Sequence, residues 1–211
     1  MTVEISKKVA LVLGSTRAIR VGPNVLEFVK KAISTSSSAN KATLTTIDIG
    51  TFNLPIFDEK VLPKMVPAHA QLEHEHSKKW SEAIKPYDGY IIVTPEYHGG
   101  IPGGLKNALD YLYHETQHKP AVIVSYGGHG GSQVSSHLKD VLERIEMKVV
   151  ETRPQLAFAG FDETVVAATT GKLGEPTLTA WGKENEALVV KAFEELVTAL
   201  EAEVSPADPA K

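Results

Sequence analysis

Three short stretches hold the residue types from which a binding site is built. They are GSTRAIRVGP from Gly14 to Pro23, TPEYHGGIPGG from Thr94 to Gly104, and YGGHGGS from Tyr126 to Ser132. The first joins a glycine turn, two hydroxyls (Ser15, Thr16), two arginines (Arg17, Arg20) and a proline, Pro23, suited to the first turn of a helix. A helix N-terminus presents unpaired N–H groups and a partial positive charge, hydroxyls donate, and a guanidinium adds charge-assisted bonds. Together they suit a phosphate. The stretch is neither a P-loop, which needs Gly-Lys-Ser/Thr, nor the dinucleotide pattern GxGxxG. A plain capping turn with two solvated arginines explains this motif equally well when it is taken alone.

The second stretch removes side chains at Gly99, Gly100, Gly103 and Gly104 and is stiffened by Pro95 and Pro102. Tyr97 stands between Glu96 and His98. A flat ring fits against such backbone, with the tyrosine at its face or edge and the two polar residues at its rim. The bland alternative is a long strand-to-helix loop with a structural tyrosine. The third stretch, with Gly127 and Gly128 after Tyr126, has the same character. Two glycine-rich walls and a phosphate cradle fit a mononucleotide with a broad aromatic base, which is FMN.

Such loops act together only if strands bring them to one edge. Val9–Leu13, Gly89–Val93 and Pro120–Ser125 are continuous apolar runs that end at these loops, the mark of strands covered on both faces. Thr43–Ile49 reads as a second strand, and Lys148–Val150 with Gln155–Ala159 as a fifth, broken at Pro154. Helical periodicity covers Val25–Ile33, Ala68–Lys85, Gly104–Gln117, Val134–Ile145 and Leu178–Glu201. Strand and helix alternate throughout, which predicts an α/β fold: a doubly wound, five-stranded parallel sheet in the order 2-1-3-4-5 with helices on both faces. Its ligand belongs outside the carboxyl ends of the strands, where the winding reverses between strands one and three. Residues 1–203 read as one domain and 204–211 as a loose tail. Gly50–Pro67 is irregular, with three prolines, and Asp162–Pro176 has no legible role.

Composition excludes several classes. The 211 residues include 22 Lys+Arg against 26 Asp+Glu, a net charge of −4, which argues against nucleic acid as the main partner. There is no cysteine, hence no disulfide, thiolate metal site or thiol nucleophile. No apolar run approaches a membrane span and the N-terminus has no signal-peptide core, so a cytoplasmic setting is expected. His69, His74 and His76 lie in a polar segment with Glu73 and Glu75, and on a continuous helix His74 and His76 would not share a face. That set reads as a solvated surface with Trp80 turned inward, and no metal is expected.

GSTR at Gly14–Arg17, PEYHGGIPGGLKNALDYLYHE at Pro95–Glu115 and KPAVIVSYGGHGG at Lys119–Gly131 resemble the NAD(P)H-dependent FMN reductases, nearest the fungal quinone-reductase branch of that flavodoxin-like family. The similarity covers about residues 8 to 160. It implies a flavodoxin-like homodimer, or tetramer, with one FMN per subunit and NAD(P)H as electron donor. Ser15 and Arg17 fall on the phosphate-binding positions, and Arg20, Val21 and Gly22 within the rest of that loop. Pro95, Glu96 and Tyr97 fall on the flavin-ring segment, and Gly127 and Gly128 on the second ring-facing loop. Lys106, Asn107 and Asp110 match a helix that usually lies at the dimer interface, and the apolar surface of Tyr111 and Tyr113 supports that placement. His98 departs from the family's usual asparagine and is the one candidate for a proton donor; no acid–base side chain is otherwise assigned. The implied activity is two-electron, ping-pong hydride transfer to quinones, azo dyes, ferricyanide or free flavin. A non-catalytic flavin or redox-sensing module is the alternative.

Overall fold

The computed structural model describes residues 6–202, so the tail expected at 204–211 lies outside the described residues. The sheet strands are β1 (Lys7–Leu13), β2 (Ala42–Asp48), β3 (Gly89–Pro95), β4 (Pro120–Gly127), β5 (Lys148–Val149) and β6 (Gln155–Ala157). All pairings are parallel, in the order β2-β1-β3-β4-β5, with β6 also paired to β4. The expected fifth strand is thus two short pieces on one neighbour. β5 pairs with Pro120 and Ala121, and β6 with Ser125 to Gly127. Between them Pro154 has no N–H for a ladder, but its carbonyl still accepts from Ser125 N at 3.0 Å.

Residues of β1 alternate between the two faces, which is why its run is apolar throughout. Val9, Leu11 and Leu13 pack with α1 (Gly22–Ser34) and the C-terminal helices, in a core that includes Val25, Val29, Trp181, Phe193 and Leu196. Ala10 and Val12 pack on the opposite face with Trp80, Leu105, Leu109, Leu138 and Leu142, carried by α2 (Glu75–Ile84), α3 (Gly103–Asp110) and α4 (Ser132–Arg144). Register aligns Leu13 with Val93, and Pro95 with Tyr126, so the three loop-bearing strands end level at one edge.

Three helices differ from the periodic pattern. α2 begins at Glu75 rather than Ala68, because the buried Glu59 carboxylate accepts from Glu73 N and His74 N and fixes the chain there. α3 stops at Asp110, after which Tyr111, Leu112 and Tyr113 are all buried in succession, which one helix face cannot achieve. Glu115 and Thr116 side chains bond the Tyr113 backbone instead. The expected final helix is two, α6 (Glu175–Glu184) and α7 (Glu186–Ala202), separated at Asn185, whose amide reaches the Gln155 carbonyl. A further helix, α5 (Phe161–Thr170), occupies the stretch that had no legible role.

The same burial removes one argument for a dimer. Tyr111 and Tyr113 are consumed within the chain: the Tyr111 phenol donates to Asp58 Oδ1 at 2.9 Å and burial pushes it up to about 12. Asn107 clamps the proline-rich connection onto α3, donating to the Pro55 carbonyl at 2.6 Å and accepting from Phe57 N at 2.9 Å. His74 lies just before α2, so its ring stacks on that of His76 with centroids 5.1 Å apart, and His76 Nε2 is 2.9 Å from Asp58. The face argument for that pair therefore does not hold, since the helix starts after His74. Trp80 is turned inward, 1% exposed, donating to the Ala108 carbonyl.

Candidate flavin site

A cavity of about 170 Å³ opens at the carboxyl ends of β1, β3 and β4. A larger open depression, about 780 Å³, lies between α1 and α6 away from the strand ends, rimmed by Glu27, Lys31, Lys172 and Glu175. Chemistry, not size, places the site at the smaller one.

Its first wall is the β1–α1 loop. Gly14 N donates to the Val93 carbonyl, which turns the chain off β1 against β3. Ser15 is fully buried and its hydroxyl has no hydrogen-bond partner among the described residues, though the Tyr126 phenol stands beside it. The N-terminus of α1 has no side-chain cap at Val21 and no acid in its first turn. Asn24 N and Val25 N bond the Val21 carbonyl and Pro23 has no N–H, which leaves Gly22 N as the open donor of the first turn among the described residues. A methyl group at Gly22 would come within 2.5 Å of Ser15 Oγ and 2.8 Å of the Tyr126 hydroxyl, so this helix start needs glycine to approach the strand ends. A buried hydroxyl without a partner beside an uncapped helix start is what an anionic phosphate satisfies.

The two arginines divide. Arg20 pairs with Asp48 at the end of β2, Nη1 to Oδ1 at 2.9 Å with Nη2 on Oδ2, and Nη1 also donates to the Ser15 carbonyl. Burial works against the Asp48 charge, but the bonds from Arg20 and from Gly50 N outweigh it and hold the carboxyl below its ordinary range. The Arg20 guanidinium is raised in turn, chiefly by its bond to Asp48. Arg17 is exposed and donates from Nε and Nη2 to the Ile19 carbonyl, and from Nη2 to the Ala168 carbonyl at 2.7 Å. Its charge lies 6.0 Å from the Tyr97 ring centre.

The second wall is the β3–α3 loop, where Pro95, Glu96 and Tyr97 line the cavity. Tyr97 and Gly100 exchange backbone bonds of 3.1 and 3.0 Å, with positive φ at His98 (51°) and Gly99 (69°) between them. This is a two-residue hairpin of the type in which both central residues are left-handed. Asparagine and histidine are among the non-glycine residues that tolerate that backbone, so either serves at position 98. His98 is exposed at the tip, outside the cavity lining. Glu96 lines the cavity but its carboxylate is also engaged elsewhere. Its Oε2 accepts from Gln133 N at 3.0 Å and Val134 N at 3.1 Å, capping α4 and tying the second wall to the third loop.

In YGGHGGS the glycines also divide. Gly127 and Gly128 line the cavity, whereas Gly130 and Gly131 turn the chain into α4. Burial raises the Tyr97 phenol, and more strongly that of Tyr126, so both stay neutral donors near neutral pH. Of the expected residues, Arg17, Arg20, Val21, Pro95, Glu96, Tyr97, Gly127 and Gly128 line one cavity, Ser15 and Gly22 stand behind its floor, and His98 stands outside. Sequence reasoning missed Phe158 and the α5 residues Thr164, Ala167 and Ala168. No motif marks them, because a helix that offers only small side chains has no signature.

Sheet order and site position define a flavodoxin-like protein. The comparisons agree. The family model described as NADPH-dependent FMN reductase matches residues 7–162. The NAD(P)H-dependent FMN reductase ntnL of Nectria sp is 45% identical over 193 residues, 90% of this chain and 94% of that one. A quinone reductase of Escherichia coli is 30% identical over 172 residues, 79% and 84% of the two chains. The solved flavoenzyme NAD(P)H:(acceptor) oxidoreductase FerB from Paracoccus denitrificans superposes with a TM-score of 0.63 at 20% identity, over 93% and 98%. The chain belongs to the NADPH-dependent FMN reductase family, oxidoreductases that use FMN with NAD(P)H as electron donor. Among the described residues, no helix is long and apolar enough to cross a membrane.

Proposed function

We propose that this enzyme transfers two electrons from NAD(P)H to quinone-type acceptors in a ping-pong cycle, with azo dyes, free flavin and ferricyanide, two ferricyanide ions per cycle, as further acceptors. FMN, when bound, supplies the ring that accepts and returns hydride. The chain's part is to bind and orient. Ser15, Arg17 and the uncapped start of α1 hold the phosphate, with Arg20 and Val21 shaping that loop around Gly22. Pro95 to Tyr97 and Gly127–Gly128 offer mainly backbone and one aromatic ring to the flavin. With His98 at a hairpin tip and Glu96 spent on capping α4, neither is assigned as a proton donor.

The observation that carries this reading is the junction of an unpartnered, buried Ser15 hydroxyl with a helix start that has no side-chain cap, directly behind the floor of one cavity. The similarity to a quinone reductase supports the acceptor class. Initial rates with varied NADPH and benzoquinone test the cycle. Parallel double-reciprocal lines are expected; intersecting lines would mean both substrates bind at once and would refute it.

A homodimer in the cytoplasm, where reduced nicotinamide is available, completes the proposal. Its support is the apolar surface on the connection that Asn107 clamps beside α3, where Ile56 is 88% and Leu62 65% exposed.

A further inference from the structure

α5 is held in an unusual way for a surface helix. A helix that packs by its apolar stripe buries several residues along one face. α5 buries only Ala167, while Phe161, Val165 and Val166 point outward. Half-buried Thr164, buried Ala167 and exposed Ala168 line the cavity. Polar clasps fasten both ends. At the start, Glu163 accepts from the Thr177 hydroxyl at 2.7 Å, and the same hydroxyl accepts from Ala159 N. At the finish, Arg17 takes the Ala168 carbonyl, Asn24 donates to the Gly171 carbonyl at 2.6 Å, and Gly171 packs on the Arg20 backbone. Gly160 and Gly171, with φ of 98° and 70°, bound the helix.

Two further relationships tie this helix to the site. Ala168 is among the last residues of α5, whose carbonyls have no partner within the helix, so the Arg17 bond satisfies an otherwise open acceptor. Arg17 makes these bonds with Nε and Nη2, which leaves the Nη1 donors for an anion at the start of α1. Thr164 stands opposite Gly128, with 3.4 Å between its Oγ1 and the position a Gly128 side chain would take.

We propose that α5 is the third wall of the flavin site, that Thr164 limits how wide a ring it admits, and that Arg17 is the positioning residue that joins this wall to the phosphate loop. Phosphate and helix end are then held by one guanidinium, so cofactor binding tightens α5. The inference rests on the FMN reading of the cavity.

Hydrogen exchange of segment 161–171 tests it, alongside FMN affinity from quenching of free-flavin fluorescence. In the protein stripped of flavin, Arg17→Ala should speed exchange in 161–171 by about tenfold, the effect of one lost charged hydrogen bond, with α4 unchanged. Arg17→Lys should restore part of it. Added FMN should slow exchange in 161–171 of the wild type. Thr164→Phe should weaken FMN binding about tenfold or more, whereas Thr169→Phe, on the exposed side, should not. FMN that binds without protecting 161–171 and with Thr164→Phe indifferent would overturn the wall. Exchange unmoved by Arg17→Ala would overturn the latch. If FMN fails to quench at all, the function proposed above fails, while the Arg17 comparison still decides the latch.

Discussion

The Arg20 guanidinium is held by Asp48, across the carboxyl ends of β1 and β2, and the same Nη1 reaches back to the Ser15 carbonyl. Arg20 therefore shapes the loop that carries Ser15, and its charge is already answered. This gives a prediction with a definite sign. If Arg20 pins the loop, Asp48→Asn weakens FMN binding by about 1–2 kcal/mol, through loss of a charge-assisted pair. If Arg20 instead grips the phosphate and Asp48 competes for it, the same change strengthens binding. Fluorescence titration of the flavin-free protein reads the sign.

The pair also predicts a pH effect on stability. The folded Asp48 carboxyl is held below its ordinary value of 3.8, so its contribution is fully present above that value. It is lost as pH falls through the lower, folded-state value. Urea unfolding should show the wild type and Asp48→Asn converging as acid is added below about pH 4, and separated near neutrality. A gap that stays constant into acid would contradict the ion pair.

Arg17 meets the exposed side of the site, with its Nη1 donors free of the carbonyl bonds that occupy Nε and Nη2. Arg17→Ala should weaken FMN binding by about 1.5–3 kcal/mol, the worth of a hydrogen bond to a charged group. Calorimetry on the flavin-free protein checks this, and unchanged affinity would place the phosphate elsewhere.

Gly22 has no room for a side chain, with Ser15 Oγ and the Tyr126 hydroxyl within 2.8 Å of where a methyl group would stand. Gly22→Ala should cost about 1–3 kcal/mol of stability from overpacking and displace the start of α1, removing measurable FMN binding. A variant that binds flavin normally would show that the helix start is not the cradle.

Glu96 acts differently from its neighbour Tyr97. Because it caps α4, Glu96→Ala should lower unfolding stability by about 0.5–2 kcal/mol while flavin affinity falls much less than in Arg17→Ala. Chemical denaturation and titration on the same variant separate the two effects.

Strands and loops were legible because buried parallel strands are unbroken apolar runs and the ligand loops carry glycine, proline and arginine. What the pattern could not show depends on contacts far apart in sequence. Glu59, distant from α2, decides where that helix begins. Three consecutive buried residues after Asp110 end α3, although the spacing of Leu105, Leu109 and Leu112 fits a longer helix. Ser15 and Arg17 stood out as residue types, but the division of labour between Arg17 and Arg20 depends on Asp48 and Ala168, 28 and 151 residues away. Polar side chains flanking an aromatic read as rim groups at Glu96 and His98. Glu96 does line the cavity, and what the pattern could not show is that it also caps α4 and that His98 occupies a left-handed hairpin position.

The proposed dimer has its own test. Ile56 and Leu62 project from a connection clamped to α3, so Ile56→Glu with Leu62→Glu should turn a dimer into a monomer by light scattering, with the fold retained by circular dichroism. A wild-type monomer, or a dimer indifferent to both changes, would refute this interface.

The proposed flavin site takes electrons from NAD(P)H and gives them to quinones. Anaerobic double-mixing stopped-flow tests it most directly, by mixing FMN-loaded protein first with NADPH or NADH and then with benzoquinone. The prediction is that flavin absorbance bleaches in the first mix and returns in the second, each at least as fast as steady-state turnover. Absorbance that survives the nicotinamide, or that recovers with quinone far more slowly than turnover, would contradict it.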